Sequence, residues 1–264
     1  MNLNVVGMTE FRLFLPLLVL ASLFAGRAHA EISDVIARIK PSVVIVGTFK
    51  STDSPRFRLR GTGFVVGNGN MVVTNSHVLP DASEDLTDTS LVVQVRVADR
   101  QWQMREAAVL ERDKLHDLVL LRFQGPAAPA AAVRDSDGVR EGQSIALMGF
   151  PIGGALGFSP VTHRGMISSI TPSVTPTPTA RLLNETTIAG ARAGAFDIFQ
   201  LDATAYPGNS GGPLFDPDTG DVLGVVNMVF IKGTRESALS QPSGISYAIP
   251  SKFFLQLIER SKGK

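Results

Sequence analysis

The sequence predicts an all-β protein of two small barrels in tandem, with one short helix before them and one helix after them. Short apolar runs are separated by glycine, proline, asparagine and aspartate, a pattern of strands and turns whose spacing suits a β-barrel or a sandwich. Helical periodicity is scarce, and the apolar, proline-rich stretch 124–132 divides the mature chain into halves of comparable length. We therefore expect residues 31–132 to form the first barrel and residues 133–264 the second barrel.

Two segments have helical spacing. Residues 32–39 form a short amphipathic helix that stops near Pro41, and residues 251–260 place Phe253, Phe254, Leu257 and Ile258 on one side of a second helix. Residues 172–194, rich in proline, threonine, alanine and glycine, are predicted to be a long loop that orders when a ligand binds. The predicted strands are residues 42–48, 63–66, 71–74, 91–97, 109–111, 118–123, 144–149, 165–170, 198–201, 222–228 and 245–248.

Composition excludes several classes of function. The 25 basic and 24 acidic side chains give a formal net charge of +1, so no electrostatic field attracts nucleic acid or acidic lipid. The chain has no cysteine, which excludes disulfides, a thiolate nucleophile and a cysteine-based metal site.

The first thirty residues are typical of a secretory signal peptide. Arg12 precedes an apolar run, and Ala28 and Ala30 supply the small residues of a cleavage site, so that Glu31 becomes the new N-terminus. The apolar run is shorter than the ~18 residues of a membrane-spanning helix, so we expect no stable membrane span after cleavage. Met8 is an alternative start that keeps a shorter signal. The prediction is export, to the periplasm or outside the cell.

The strongest chemical signal is the segment 207–214, PGNSGGPL, in which glycines flank Ser210 before an apolar strand. Glycine permits the tight backbone that leaves a serine hydroxyl accessible. The backbone N–H groups of Gly208 and Ser210, on either side of Asn209, can then point at one oxygen and form an oxyanion hole. An ordinary glycine-rich turn is the alternative if the motif stands alone.

A serine needs a base, and histidine has a suitable pKa. His29 leaves with the signal, and His116 and His163 lack a strand-to-turn context, whereas His77 follows the apolar strand Val72-Val73-Thr74. His77 is therefore the predicted base.

The third residue must accept a hydrogen bond from the imidazole. We predict Asp117, which immediately precedes the apolar run Leu118-Val119-Leu120-Leu121. Asp113 is the near rival and Asp99 is a weaker one.

The segments TNSH (74–77), DLVLL (117–121) and GNSGGP (208–213) resemble those of trypsin-like serine peptidases, most closely the bacterial Deg/HtrA branch. The segments GTGFVV (61–66) and GISYAIP (244–250) extend the resemblance over nearly all of the mature chain. The resemblance implies two six-stranded antiparallel barrels of the chymotrypsin type, with His77, Asp117 and Ser210 in the cleft between them.

Two departures from related enzymes matter. Deg/HtrA proteins usually carry PDZ domains after the peptidase domain, whereas this chain ends soon after Pro250, so we expect no PDZ-gated activation. Animal digestive enzymes have an aspartate before the serine that pairs with a new N-terminal amine. Here Asn209 stands at that position, and a neutral amide cannot form this ion pair.

The resemblance also implies a position for the primary specificity pocket. Alignment on Ser210 puts its floor at Thr204 and its walls at Val226, Asn227 and Met228 and at residues 244–246, where Ile245 narrows the space. An uncharged floor leaves a buried Lys or Arg without a counter-ion. A shallow apolar pocket favours Val, Ala, Ile or Leu before the cleaved bond.

The sequence thus predicts an exported serine endopeptidase that acts on proteins or peptides without a metal or organic cofactor. Two other functions stay open: a catalytically silent binding module on the same fold, and an esterase that uses the same three residues. The presence of all three residues argues against the silent module.

Overall fold

The computed structural model describes residues 31–81, 84, 86–99, 101–151, 158–173, 195–227 and 245–263. The predicted signal peptide and the predicted long loop beyond Ser173 lie outside these residues. Within the described ranges, no helix has both the length and the apolar character needed to cross a membrane.

The first six strands form a closed barrel in the order β1-β2-β3-β6-β5-β4. Neighbouring strands are antiparallel. Their valine and leucine side chains fill the interior, which is where β-branched residues pack well. The strands are β1 Val43–Lys50, β2 Phe57–Val66, β3 Met71–Asn75, β4 Thr89–Ala98, β5 Gln101–Asp113 and β6 Leu118–Phe123.

The last six strands form a second closed antiparallel barrel, in the order β10-β11-β12-β9-β8-β7. Both barrels close, so no edge strand remains unpaired in either. The strands are β7 Ser144–Gly149, β8 Val161–Pro172, β9 Asp197–Asp202, β10 Pro213–Phe215, β11 Val222–Asn227 and β12 Ile245–Pro250. The predicted fold class of two six-stranded barrels is therefore confirmed.

Two helices flank the barrels, as the periodicity predicts. Helix α1, Ile32–Ile39, buries Val35 and Ile39 and gives way to a 3₁₀ turn that contains Pro41. Helix α2, Ser251–Ser261, buries Phe254 and Leu257.

Three apolar clusters hold the molecule together. One fills the first barrel and another fills the second. The third joins both barrels and both helices, and includes Phe64 and Leu120 from the first barrel and Phe215 and Val225 from the second. Phe254 of α2 lies edge-on against Phe64, with ring centroids 5.6 Å apart. The two barrels are therefore docked through a continuous buried interface.

The strand predictions are too short at β2, where residues 63–66 are predicted, at β8, where residues 165–170 are predicted, and most of all at β5. Only residues 109–111 are predicted, whereas β5 covers Gln101–Asp113. Most of its side chains are exposed or half-buried, so apolar content marks it weakly. The short strand β10 is not among the predicted strands, and in the sequence it appears only as the apolar continuation of the serine motif. By contrast, β6 and β7 have the predicted bounds.

The predicted linker lies against the first barrel. The N–H of Ala128 donates to Gly69 O at 2.7 Å, and the N–H of Ala131 donates to Val65 O at 2.9 Å. Val133 then forms an isolated bridge with Val222 of the second barrel. These bonds fix the path between the barrels.

Candidate active site

The predicted base, His77, lies in a 3₁₀ turn, Ser76–Val78, directly after β3. Its Nδ1 is 2.5 Å from Asp117 Oδ2, and its backbone N–H donates to Asp117 Oδ1 at 2.9 Å. An ionised carboxylate can only accept hydrogen bonds, so Nδ1 carries the hydrogen in the neutral ring. The second ring nitrogen, Nε2, is then the one able to take up a proton.

The loop around His77 is anchored by Arg60 of β2. Its Nε donates to Val78 O at 2.8 Å, and its two terminal nitrogens form a bidentate pair with Glu84 at 2.8 and 2.6 Å. The hydrogen bond from Arg60 is the main cause that lowers the pKa of Glu84. Bidentate pairs fix direction as well as distance, so the turn after His77 is held in place.

Asp117 adopts a left-handed backbone conformation, with φ of 51°. This conformation costs a non-glycine residue roughly 1–2 kcal/mol and persists only when neighbouring bonds impose it. Here the carbonyl of Asp117 accepts from Ser76 N at 3.0 Å and from Asn75 Nδ2 at 3.1 Å. The turn before β6 is therefore tied to the end of β3, and the carboxylate faces His77.

A residue of the second barrel also contacts Asp117. Asn227, the last residue of β11, is fully buried and donates from Nδ2 to Asp117 Oδ2 at 2.7 Å. The sequence predicts Asn227 as a pocket wall, and the structure shows in addition that its side chain binds the Asp117 carboxylate. In the sequence, the only sign of this contact is an asparagine at the end of an apolar run.

The rival aspartates have other partners. Asp113 Oδ2 contacts His116 Nδ1 at 2.9 Å and Arg260 Nη2 at 3.2 Å, and Asp99 pairs with Arg96. Burial raises the pKa of Asp113, but the hydrogen bonds from His116 and Arg260 outweigh this effect and hold the pKa well below its usual value.

The remaining described histidine outside these pairs is His163 on β8. Its ring lies 5.7 Å from the ring of Tyr206, and its Nε2 is buried with no hydrogen-bond partner in the described part of the chain. Burial lowers the pKa of His163, because desolvation disfavours the charged ring.

Ser210 lies in the loop between β9 and β10 and is 7% exposed. The loop turns back on itself, because Asn209 N donates to Tyr206 O and Gly212 N donates to Asn209 O, both at 2.9 Å. Gly208 and Gly211 have φ of 105° and 86°. A Cβ at Gly208 would lie 2.2 Å from Phe150 O, so both conformation and space require glycine there.

The residues predicted to form the specificity pocket lie in different environments. Thr204 is half-buried and Ile245 is 45% exposed. Val226 is fully buried within the core of the second barrel, so its side chain contributes to packing. Asn227 contacts Asp117, and Met228 lies outside the described residues.

The segment that carries Thr204 is held from β12. Ser246 Oγ accepts from Ala205 N at 3.0 Å and donates to Ala203 O at 2.7 Å. Ser246 is almost fully buried. The predicted pocket floor therefore has a fixed backbone on both sides.

Several known proteins resemble this chain in sequence. A family profile for the trypsin-like peptidase domain matches residues 61–225. A DegP-like periplasmic serine endoprotease from Marinomonas sp. (strain MWYL1) is 30% identical over 202 residues, which is 76% of this chain and 35% of that protein. Serine protease HTRA4 of Mus musculus is 27% identical over 246 residues, covering 89% of this chain and 42% of that protein.

Solved structures give the same fold. The HtrA-type protease AlgW with a tripeptide has a TM-score of 0.62 and 25% identity, covering 87% of this chain and 63% of that chain. The same protease with a decapeptide has a TM-score of 0.63 and 23% identity, covering 89% and 68%. The chain spans about a third of the length of the DegP-like relative.

Proposed function

Because the chain belongs to the family of trypsin-like peptidases, we propose that it is an exported serine endopeptidase with Ser210 as nucleophile, His77 as base and Asp117 as the orienting carboxylate. The observation that carries the proposal is the 2.5 Å contact between His77 Nδ1 and Asp117 Oδ2, which leaves Nε2 as the ring's proton acceptor.

In the proposed reaction, Ser210 Oγ attacks the carbonyl carbon of the substrate peptide while His77 Nε2 takes the hydroxyl proton. The imidazolium that forms is stabilised by the Asp117 carboxylate, which accepts the hydrogen bond from Nδ1. His77 then gives the proton to the leaving amine as the C–N bond breaks. A water molecule then attacks the acyl carbon while His77 Nε2 takes its proton. The bond between Ser210 Oγ and the acyl carbon breaks as His77 returns the proton to Oγ, and the product leaves as a carboxylic acid.

The negative charge that develops on the substrate oxygen needs donors already in place. We assign this role to the backbone N–H groups of Gly208 and Ser210, on either side of Asn209. The glycine conformation at position 208 and the backbone bonds of the loop support the assignment. Loss of one such donor typically costs about 2.7–4 kcal/mol of transition-state stabilisation.

The substrate class follows from the predicted pocket. Thr204 presents no charge, and the bonds from Ser246 fix the backbone around it. We propose a preference for Val, Ala, Ile or Leu at the residue before the cleaved bond. Cleavage sites mapped in an unfolded protein test this preference, and a dominant Lys/Arg or Phe/Tyr residue would contradict it.

Export rests on residues 1–30, which have the features of a signal peptide, and on the periplasmic DegP-like relatives. We expect the protein purified from the periplasm or the medium to begin at Glu31. N-terminal sequencing of the exported protein measures this directly, and an intact Met1 or Met8 terminus would contradict cleavage.

A fluorophosphonate probe, combined with peptide and simple ester substrates, tests the proposed activity. The wild-type protein should be labelled and should cleave peptides, whereas Ser210→Ala should lose labelling and several orders of magnitude in turnover. Ser144→Ala, at an exposed serine away from the loop, is the matched control and should behave as wild type.

The outcomes separate the alternatives. Ester cleavage without peptide cleavage would indicate an esterase, and a folded wild-type protein that is never labelled would indicate a silent binding module. If Ser210→Ala kept more than about a tenth of the activity, the nucleophile would lie elsewhere, since loss of a triad serine costs far more.

A further inference from the structure

Thr62 of β2, in the first barrel, contacts two segments of the second barrel through its hydroxyl. Its Oγ1 accepts from Phe150 N at 3.1 Å and donates to Gly208 O at 2.6 Å. A hydroxyl has one hydrogen, and a backbone N–H can only donate, so the hydroxyl hydrogen is committed to Gly208 O. Thr62 is fully buried, so water does not compete for these bonds.

The backbone of Thr62 contacts the same loop. Its N–H donates to Ser210 O at 2.9 Å, and its carbonyl accepts from Thr74 Oγ1 at 2.6 Å. Thr62 therefore binds the carbonyl groups of both Gly208 and Ser210, the two residues whose N–H groups form the proposed oxyanion hole. The Gly208 carbonyl belongs to the 208–209 peptide, and the Ser210 carbonyl belongs to the 210–211 peptide. The bonds from Thr62 therefore fix the two peptides on either side of the one that carries the Ser210 N–H, and the first of them also adjoins the peptide that carries the Gly208 N–H.

The loop needs this external support. Gly208 has φ of 105° and lacks a side chain, so it can adopt other conformations at low cost. The side chain between the two donors does not help, because Asn209 Nδ2 and Oδ1 are buried and have no hydrogen-bond partner among the residues that the structure describes. Burying polar atoms without partners raises the free energy of this loop conformation. The conformation therefore depends more strongly on the hydrogen bonds from Thr62.

We propose that Thr62 is a positioning residue that holds the oxyanion-hole loop in its active conformation from the opposite barrel. The proposal rests on the proposed peptidase function. Thr62 contacts no reacting atom in this scheme. Its effect is exerted through the orientation of the Gly208 and Ser210 N–H groups, so the effect should appear in the chemical step and not in substrate binding.

The test compares one variant that lacks the Thr62 hydroxyl with another that retains it. Thr62→Val keeps the shape and removes both bonds, and we expect kcat to fall roughly 10–100-fold, toward the loss caused by removing an oxyanion donor. KM should change by less than about threefold, because ground-state binding is unaffected. Thr62→Ser keeps the hydroxyl and should restore kcat to near the wild-type value.

A second readout separates positioning from loss of stability. A peptide boronic acid forms a tetrahedral adduct that occupies the oxyanion hole, so its affinity should fall in parallel with kcat. Ser251→Ala is the matched control, because Ser251 Oγ is buried and donates to Arg134 O at the same 2.6 Å. This control should lose stability and retain both kcat and boronate affinity.

If the wild-type protein is labelled and active, the proposal would be overturned by a kcat for Thr62→Val equal to the kcat of Thr62→Ser and of Ser251→Ala. A wild-type protein without labelling or turnover would instead refute the peptidase function itself. Should Thr62→Val fail to fold, Thr62→Cys, a weak donor of similar volume, takes its place. The same fall in kcat is expected there, and wild-type kcat would overturn the proposal.

Discussion

Replacing Asp113 or Asp117 by asparagine should have opposite effects, although the two residues lie four positions apart. Asp113 contacts His116 and Arg260, whereas Asp117 contacts His77 and Asn227. We expect Asp113→Asn to lose stability and keep activity. Asp117→Asn should lose activity and keep the fold.

The stability loss in Asp113→Asn follows from its contacts. Arg260 belongs to α2, and His116 stacks on Phe253 of the same helix, with ring centroids 3.9 Å apart. The carboxylate therefore ties the β5–β6 turn to the C-terminal helix. A hydrogen bond to a charged group is worth about 1.5–3 kcal/mol, and its loss should lower Tm by roughly 3–12 °C in a chain of this size.

The pH dependence of stability provides a second test of Asp113. Its pKa is lowered in the folded state, so the unfolded chain takes up the proton first as the pH falls. The stabilisation is fully present above about pH 4, the ordinary range for aspartate, and is lost as the pH falls toward the folded-state value. Tm measured against pH should therefore fall less steeply below pH 4 in Asp113→Asn than in the wild type.

Activity distinguishes the two aspartates. In Asp117→Asn the amide favours the wrong imidazole tautomer of His77, and kcat should fall roughly 10⁴-fold, as in the template triad. Asp99→Asn is the matched control, since Asp99 is 81% exposed and should change stability by less than about 0.5 kcal/mol. Retained activity in Asp117→Asn, together with lost activity in Asp113→Asn, would move the catalytic role to Asp113.

Three further substitutions test the surroundings of the site. Asn227→Ala removes the bond to the Asp117 carboxylate, worth about 1.5–3 kcal/mol, and kcat/KM should fall up to about 100-fold; an unchanged kcat/KM would contradict the supporting role. Ser246→Ala leaves the Ala205 N–H without a buried partner, so Tm should fall and the cleavage-site profile should broaden; an unaltered profile would separate Ser246 from the pocket. Gly211→Ala places a Cβ 2.1 Å from Thr62 O at positive φ, so fluorophosphonate labelling should be lost, and normal labelling would refute the reasoning.

Local patterns in the sequence determine much of the fold. The apolar runs at β6 and β7 have the predicted bounds because each is buried almost throughout, so composition and structure coincide. Pro41 marks the end of α1 because proline has no backbone N–H to donate and its ring clashes with the preceding helical turn. Strand β5 is harder to predict because its exposed face carries mixed polar and apolar side chains.

His77 and Asp117 can be predicted from the sequence because each lies next to a clearly apolar strand. The sequence favours Asp117 over its near rival Asp113 because Asp117 immediately precedes β6. The contacts that separate the two residues depend on the turn, which gives Asp117 a left-handed conformation and directs Asp113 toward His116. Asn227 and Thr62 were missed as supporting residues because their partners are 110 and 146 positions away. Such contacts follow from the docking of the barrels and leave no local pattern.

The two long-range contacts are reciprocal. Asn227 of the second barrel supports Asp117 of the first, and Thr62 of the first barrel holds Gly208 of the second. Each half of the proposed machinery is thus completed by a buried side chain of the other barrel. The shared cluster that includes Phe64, Leu120 and Phe215 joins the two barrels, so a core substitution that shifts one barrel against the other should disturb both contacts together.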